Sequence, residues 1–470
     1  MGKYSQLGKN TVLVFVGNAG SKLIGLLMLP FYTRFLSVDD YGTTDIINIY
    51  VTFLLSIVSC CIAESIFIFP KGQSSEKQRE YLSSGCAFSV IALLIAGIVF
   101  KIVSMVADYY SIENSFIQNL WLIYVLLIAQ LCQQLFQQFT RSIDCIMIFS
   151  VAGIVLTICT VFFSFFFIPR YGVTGFVFSL VLANVGAAVY SLLGSGAYRY
   201  LSLAAIRWDC CKEMLRYSVP LIPNGIMWWL VSALNRPVME FYLGMEAIGL
   251  FAVANKFPSV FSSVFSVFAV SWQISVMEEY GKEDYSHFFN KVFRSVILLM
   301  ILSCCLISIF SPLIISILAD KNYYESWKYV PVLSLSSVFM AISGMAGSNF
   351  SATKESKYFF YSSVWGALTA VIGNVLFIPY IGTMGACLSV VFSFLVMSLS
   401  RCFYCWRYVK INYISKIVFS LAGNIIIVML TLSSLGLLWK IVGYCISFIF
   451  LLYVNRDFLK EVCNVIKNRV

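Results

Sequence analysis

The chain has 470 residues, 60% of them hydrophobic and 11% charged, with a formal net charge of +10 at pH 7. So little polar surface cannot cover so large a core in water, which excludes a soluble protein and points to an integral membrane protein. The apolar runs are continuous, without period-two alternation, which excludes a β-barrel and predicts an all-α membrane fold.

A hydrocarbon core of roughly 30 Å needs about 20 apolar residues per helix. Fourteen such stretches are predicted, at 10–36, 43–69, 82–106, 115–140, 145–169, 173–198, 216–240, 246–275, 288–318, 327–350, 358–379, 382–406, 413–438 and 440–455. The first is too long and interrupted for a signal-peptide core and lacks a small-residue cleavage site, so it is expected to remain in the mature protein. With the N-terminus inside, cytoplasmic segments carry about 23 of the 32 Lys and Arg, external loops about 4 and the spans about 5. That asymmetry predicts a multi-pass protein of the inner (cytoplasmic) membrane with both termini cytoplasmic. By the same rule Arg401, Arg407, Lys410 and Lys416 read as cytoplasmic charges that need no partner. No predicted loop exceeds about twenty residues, which leaves no room for a sizeable extramembrane domain. The 15 cysteines read as small apolar residues, and Cys402-x-x-Cys405 lacks the second ligand pair of a metal site.

Two internal echoes organise these spans. Phe167-Ile168-Pro169, Gly172, Gly175 and Ser179 recur as Phe377-Ile378-Pro379, Gly382, Gly385 and Ser389, and Pro30, Leu36 and Gly42 recur as Pro237, Leu243 and Gly249. Six spans separate the copies, so the repeats are parallel. The chain thus reads as two pseudo-symmetric six-helix bundles, 1–205 and 206–411, followed at 412–470 by two further helices and a short cytoplasmic tail. Parallel repeats about an axis along the membrane normal are a transporter arrangement, with the substrate path at the repeat interface and alternating access by rocking of the bundles.

The run from Tyr217 to Pro258, YSVPLIPNGIMWWLVSALNRPVMEFYLGMEAIGLFAVANKFP, the opening LGKNTVLVFVGNAGSKLIGLLMLPFYTRFLSVDDYG and the doubled FIPxxGxxG resemble the polysaccharide-transporter branch of the multidrug/oligosaccharidyl-lipid/polysaccharide exporter (MOP) superfamily. That branch contains the Wzx-type flippases of O-antigen and capsule repeat units. The resemblance covers essentially the whole chain and implies a MATE-like fold of fourteen spans. It also implies a polyprenyl-diphosphate-linked oligosaccharide cargo and a central lumen lined by cations. The seventh helix of such proteins often carries Asp-Arg where this chain has Asn235-Arg236, which argues against a carboxylate role there.

An ionisable group inside a span needs a cavity, a partner or a route to the interface. Seven qualify: Lys22, Arg34, Asp45, Glu64, Lys101, Arg236 and Lys256. Arg34, Glu64, Lys101 and Arg236 lie near predicted span ends, where long side chains reach the interface. Lys22 and Lys256 lie deeper and either line a substrate cavity or pair with Asp45. Gln130, Gln134, Gln137 and Arg141 fall on one helical face, either as glue between helices or as an amide wall for sugar hydroxyls. Asn224, Trp228 and Asn235 share a face by the same spacing, a surface suited to stacking a sugar. Pro30, Pro237, Pro258 and the pairs Gly172/Gly175 and Gly382/Gly385 are either hinges for the rocking or fixed kinks and turns.

These features favour a non-enzymatic flippase that carries the repeat unit to the outer leaflet for O-antigen, capsule or exopolysaccharide synthesis. Lumenal cations would offset the diphosphate, amides would replace water around the sugars, and the prenyl tail would stay in lipid. Expected partners are the lipid-linked oligosaccharide, membrane lipids and the polymerase and chain-length machinery, with no nucleic acid. No cofactor is implied. Coupling to Na+ or H+ stays open: Asp45 and Glu64 can titrate, and Asn235 with Asn374 can offer oxygen ligands. A cation-coupled multidrug exporter of the same fold is the nearest alternative, opposed by the excess of embedded cations over carboxylates. A membrane enzyme is opposed by the short loops and the single His287, and a non-transporting scaffold by the embedded charges.

Overall fold

The computed structural model describes residues 24–353, 355 and 357–457, and in them the chain forms helices and no strand. It divides into two compact units, one ending at Ala252 and the other starting at Val253.

The first unit opens with α1 (Leu29–Phe35), the end of an apolar stretch from Ile24. Pro30 is the second residue of α1, where the helical stretch that runs from Ile24 is interrupted at Met28. At the start of α2 (Val38–Val58) the Ser37 hydroxyl accepts from the Asp40 amide at 3.1 Å, and the Asp40 carboxylate accepts from the Ser37 amide at 3.2 Å. Positive φ at Cys60 and Cys61 separates α2 from α3 (Ile62–Ile68), so the second span is broken near its end. The unit continues with α4 (Ser75–Tyr110), α5 (Ser115–Gln118), α6 (Leu120–Ser142), α7 (Ile146–Gly194), α8 (Trp208–Ser218), α9 (Ile222–Ser232), α10 (Asn235–Leu243) and the first turns of α11 (Met245–Glu279). Val51, Leu55, Ile66, Ile123, Leu127 and Leu131 form its core between α2, α3 and α6. On α4, by contrast, Ile91, Leu94, Ile95 and Ile98 stand exposed, an apolar face that hydrocarbon tolerates and water does not.

The second unit holds the rest of α11, then α12 (Tyr285–Leu318), α13 (Val330–Ala352), α14 (Lys357–Ile381), α15 (Thr383–Cys405), α16 (Ile414–Leu432) and α17 (Leu437–Val454). Ser, Gly and Ala recur along α13, which is buried over nearly all its length and packs against α12, α14 and α15. Of the two helices after the repeats, α16 docks on α12, where the Asn424 amide donates to the Ile301 carbonyl at 3.1 Å, and α17 packs on α16. Lys416 meets Asp457 at 2.6 Å, tying the start of α16 to the residues after α17 and holding the Asp457 carboxyl below its usual range.

Eleven described helices are long and apolar enough to cross a membrane. With the second limb of α7, the described part of the first span (Ile24–Phe35) and the broken seventh, the described helices account for the fourteen expected from sequence.

The doubled FIPxxGxxG is one structure made twice. Gly172 and Gly382 both have positive φ, 51° and 64°, with ψ of −126° and −142°, a region closed to residues with a Cβ. Three residues on, a Cβ on Gly175 would lie 2.2 Å from the Phe167 carbonyl oxygen, and one on Gly385 would lie 2.4 Å from that of Phe377. Each motif therefore folds the chain back on itself with no loop between the spans. In α7 the return limb runs antiparallel, bringing Gly186 against Cys159 and Gly194 against Ile148. All four glycines, offered from sequence as hinges or as fixed kinks and turns, sit in these tight turns.

Candidate functional site

The seventh span is two helices. Helix α9 ends at Ser232 and α10 starts at Asn235, and the break leaves carbonyls at the end of α9 without helical donors. Arg236, 3% exposed, fills that gap: its Nη1 donates to the Ser232 carbonyl at 2.6 Å and to the Asn235 Oδ1 at 2.9 Å. Its Nε donates to Asp45 Oδ2 on α2 at 3.2 Å, and its guanidinium lies 4.6 Å from the centre of the Phe251 ring. A helix end, an ion pair and a ring face thus share one buried cation, which serves the first unit rather than reaching an interface.

One turn further along α10 stands Glu240, which the sequence reading passed over. Its Oε1 accepts from the Ser115 backbone amide at 2.7 Å, at the start of α5, and its Oε2 accepts from the Tyr50 hydroxyl on α2 at 3.1 Å. Trp229 on α9 donates to the Ile49 carbonyl at 3.2 Å and packs on Phe53, ring centres 4.5 Å apart. The seventh span is bonded to α2 along both of its pieces. Glu240→Gln keeps one acceptor and loses the charge, and it is expected to destabilise the folded protein by about 1 kcal/mol. Tyr50→Phe should move the melting temperature in the same direction, and an unchanged value in both would mean that the bridge does not form.

The second echo closes this junction. A Cβ on Gly42 would lie 2.2 Å from the Met245 carbonyl oxygen and 2.9 Å from the Gly249 nitrogen, and one on Gly249 would lie 2.0 Å from the Val38 carbonyl oxygen. Gly42 and Gly249 are repeat mates, and Val38 and Met245 occupy equivalent positions of the two copies. The contact is reciprocal, as a two-fold relation between copies requires. It also explains why the seventh span, which begins the second repeat in sequence, packs within the first unit.

The remaining candidates separate. Lys22 lies outside the described residues. Arg34, Glu64 and Lys101 are exposed, and Lys256 is half-buried on α11. Of the glutamine stripe, Gln130 and Gln134 are half-buried. Gln137 accepts from Gln133, which the sequence reading did not single out, and donates to the Phe149 carbonyl at 3.0 Å, so it binds α6 to α7. Arg141 is exposed and lies over the Phe67 and Phe149 rings at 4.0 and 5.6 Å. The shared face expected for Asn224, Trp228 and Asn235 is not formed: the break after α9 interrupts the helical spacing, leaving Asn224 and Trp228 exposed and Asn235 1% exposed. Asn374 is buried on α14 with its Oδ1 unpartnered. Pro237 sits in the first turn of α10. Pro258 sits inside α11, where its carbonyl accepts from the Ser262 and Ser337 hydroxyls at 2.9 and 3.3 Å.

Residues 7–273, more than half of the chain, match the model of the family described as polysaccharide biosynthesis protein. The chain belongs to that family. Residues 220–376 also match the MatE model. No curated protein sequence matches at a significant level. Among solved structures, this chain is similar to the lipid II flippase MurJ in an inward closed conformation, with TM-score 0.66 and 15% identity over 96% of this chain and 100% of that one. A multidrug resistance MATE family transporter of the MOP superfamily, inward-facing, gives TM-score 0.67 and 13% identity over 84% and 97%. An outward-facing one gives 0.59 and 12% over 85% and 95%. At such identities the likeness is one of fold, the helical fold shared with MurJ and the MATE transporters.

One buried charge of this chain departs from its sequence assignment. Arg401, read as a cytoplasmic charge needing no partner, lies in α15 and is 4% exposed. The predicted span 382–406 already contained it, and only the attribution of its charge to a loop hid it.

Proposed function

We propose that this protein is a flippase that moves a polyprenyl-diphosphate-linked oligosaccharide repeat unit from the cytoplasmic to the outer leaflet for surface polysaccharide synthesis. The observation that carries the reading is the family match over residues 7–273, on a chain whose described helices include eleven apolar enough to span a membrane. Alternating access of the two repeat halves, an inner-membrane location, cytoplasmic termini and work beside a polymerase and chain-length machinery belong to the same proposal. Lys22 and Lys256 are the cations assigned to the diphosphate, because an ammonium is a mobile point charge from which an anion can be released. Gln130 and Gln134 are assigned to sugar hydroxyls. Asp45 is engaged by Arg236, so a coupling role for Na+ or H+ falls to Glu64 and Asn374.

The MatE match over residues 220–376 favours a second reading, export of organic cations by the same fold. Depleting the protein in its host separates the two. A flippase leaves the lipid-linked oligosaccharide on the cytoplasmic leaflet while surface polysaccharide disappears. A drug exporter leaves glycan untouched and raises susceptibility to cationic toxic compounds. Lys256→Ala should lower translocation at least about tenfold, the worth of one charge-assisted contact to phosphate, at an unchanged amount of folded protein. A matching loss of protein would make Lys256 structural.

A further inference from the structure

The register that pairs Gly42 with Gly249 continues down the helix that follows each of them. Asn48, Thr52, Ser56 and Ser59 on α2 recur at the same offset as Asn255, Ser259, Ser263 and Ser266 on α11. In each copy an amide is followed by hydroxyls at i+4, i+8 and i+11, all on one helical face. Both helices are long and apolar enough to cross a membrane. Their other faces are buried, through Ile47, Val51 and Leu55 on α2 and Ala254, Phe257 and Phe265 on α11. The polar faces are not: Thr52 is exposed, and Asn48, Ser56, Asn255, Ser259 and Ser263 are half-buried. Only the fourth pair splits, Ser59 being buried and Ser266 exposed.

Hydrogen bonding separates two uses of such a face. As glue between helices, its side chains would bond across to a neighbour. Among the described residues, every bond these side chains donate stays in its own helix. Asn48 donates to the Thr44 carbonyl at 2.9 Å and Thr52 to that of Asn48 at 2.8 Å, while Ser259 donates to that of Lys256 at 2.7 Å and Ser263 to that of Ser259 at 2.8 Å. A hydroxyl that gives its one proton to its own helix turns only acceptor lone pairs outward, and the Asn48 amide keeps its oxygen. Lys256, assigned above to the diphosphate, shares the α11 face, three and seven residues before Ser259 and Ser263. Amides and an ammonium turned to hydrocarbon are costly, so these faces border water or a polar cargo.

We propose that the polar face of α2 in the first unit and that of α11 in the second each border the aqueous route of the cargo, and that their outward oxygens accept from the hydroxyl groups of the oligosaccharide. The cargo is that of the flippase reading, on which this assignment rests; the equivalence of the two faces comes from the repeat. A track of acceptors suits a string of sugars, each of which brings several O–H donors and can shift from one acceptor to the next. An organic cation without hydroxyls has no proton to give it.

The test has two arms, both on the full-length chain in membranes of its host. In the first, Thr52, Ser56, Ser259 and Ser263 are changed one at a time to Cys and exposed from both sides to a membrane-impermeant charged thiol reagent, with labelling located by peptide mass. All four should be labelled, and Ile91→Cys on the apolar outer face of α4 should not, because a thiol in hydrocarbon forms no reactive thiolate. In the second, translocation is measured in Thr52→Val, in Ser259→Ala and in both together. Each single change should lower it about threefold, the worth of one hydrogen bond, and the pair about tenfold. A loss no larger than the loss of folded protein counts as unaltered translocation. Absence of labelling on either helix overturns the equivalent faces. Labelling of both with unaltered translocation in the double variant overturns the sugar contact and leaves the flippase reading standing. A wild type that moves no lipid-linked oligosaccharide ends the flippase reading, and the sugar contact with it, at the depletion experiment before any variant is made.

Discussion

Arg236→Ala is expected to remove about 3 kcal/mol of stability, the low end of the cost of breaking a buried ion pair, because Asp45 keeps 22% of its side chain exposed. The substitution strands the Asp45 carboxylate and uncovers the Ser232 carbonyl at the end of α9 together. The yield of monodisperse protein and its melting temperature should both fall. Asp45→Asn should fall less, since the neutral amide still accepts from the guanidinium. Replacing the pair together, Arg236→Met with Asp45→Leu, should recover part of the loss, because no buried charge is left alone. If Arg236→Ala instead folds as well as the wild type and loses only transport, the arginine acts on the cargo and its place in the helix break is incidental.

Gly249→Val should cost at least as much. Its Cβ would lie 2.0 Å from a backbone oxygen, with no flexible side chain to move aside, so α2 and α11 must separate. Overpacking in a core that can partly yield costs about 1–3 kcal/mol, and a backbone obstacle yields less. Gly42→Val meets Met245 from the other side and should behave alike, while Gly436→Ala, with open space around it, should leave the melting temperature unchanged. Normal folding of Gly249→Ala and Gly42→Ala would show that the reciprocal contact is loose and not a fixed joint of the repeats.

The two experiments bear on one junction. Arg236 and Glu240 bond the two pieces of the seventh span to α2 and α5, and the two glycines let the neighbouring helix starts meet backbone to backbone. A transporter that changes shape needs some elements locked and others free. The sequence offered Pro30, Pro237, Pro258 and the Gly172/Gly175 and Gly382/Gly385 pairs either as hinges or as fixed kinks and turns. In the fold the four glycines form span-to-span turns, Pro30 and Pro237 lie near the starts of α1 and α10 and Pro258 lies inside α11, and the first unit has span interruptions between α9 and α10 and at Cys60 and Cys61.

Glu240 was visible as an acidic residue four positions after Arg236, on the same helical face, yet its proximity to a predicted span end disguised it. Arg401 sat inside a predicted span and was assigned to a loop because its charge fitted the positive-inside pattern. Nothing in sequence, however, links Arg236 with Asp45, 191 residues apart, or sets the Ser362 hydroxyl beside Arg401.

By itself the sequence determined that the chain lives in a membrane, that it crosses it many times, and that its halves are copies. Those properties depend on hydrophobicity summed over about 20 neighbouring residues and on patterns repeated along the chain, both of which are local. Only the tertiary structure decided which embedded charges are matched, which glycines touch, and that the seventh span packs with the first unit. Those follow from contacts among residues far apart in the chain, where burial turns a hydroxyl, a carboxylate or a missing Cβ into a determinant of the fold.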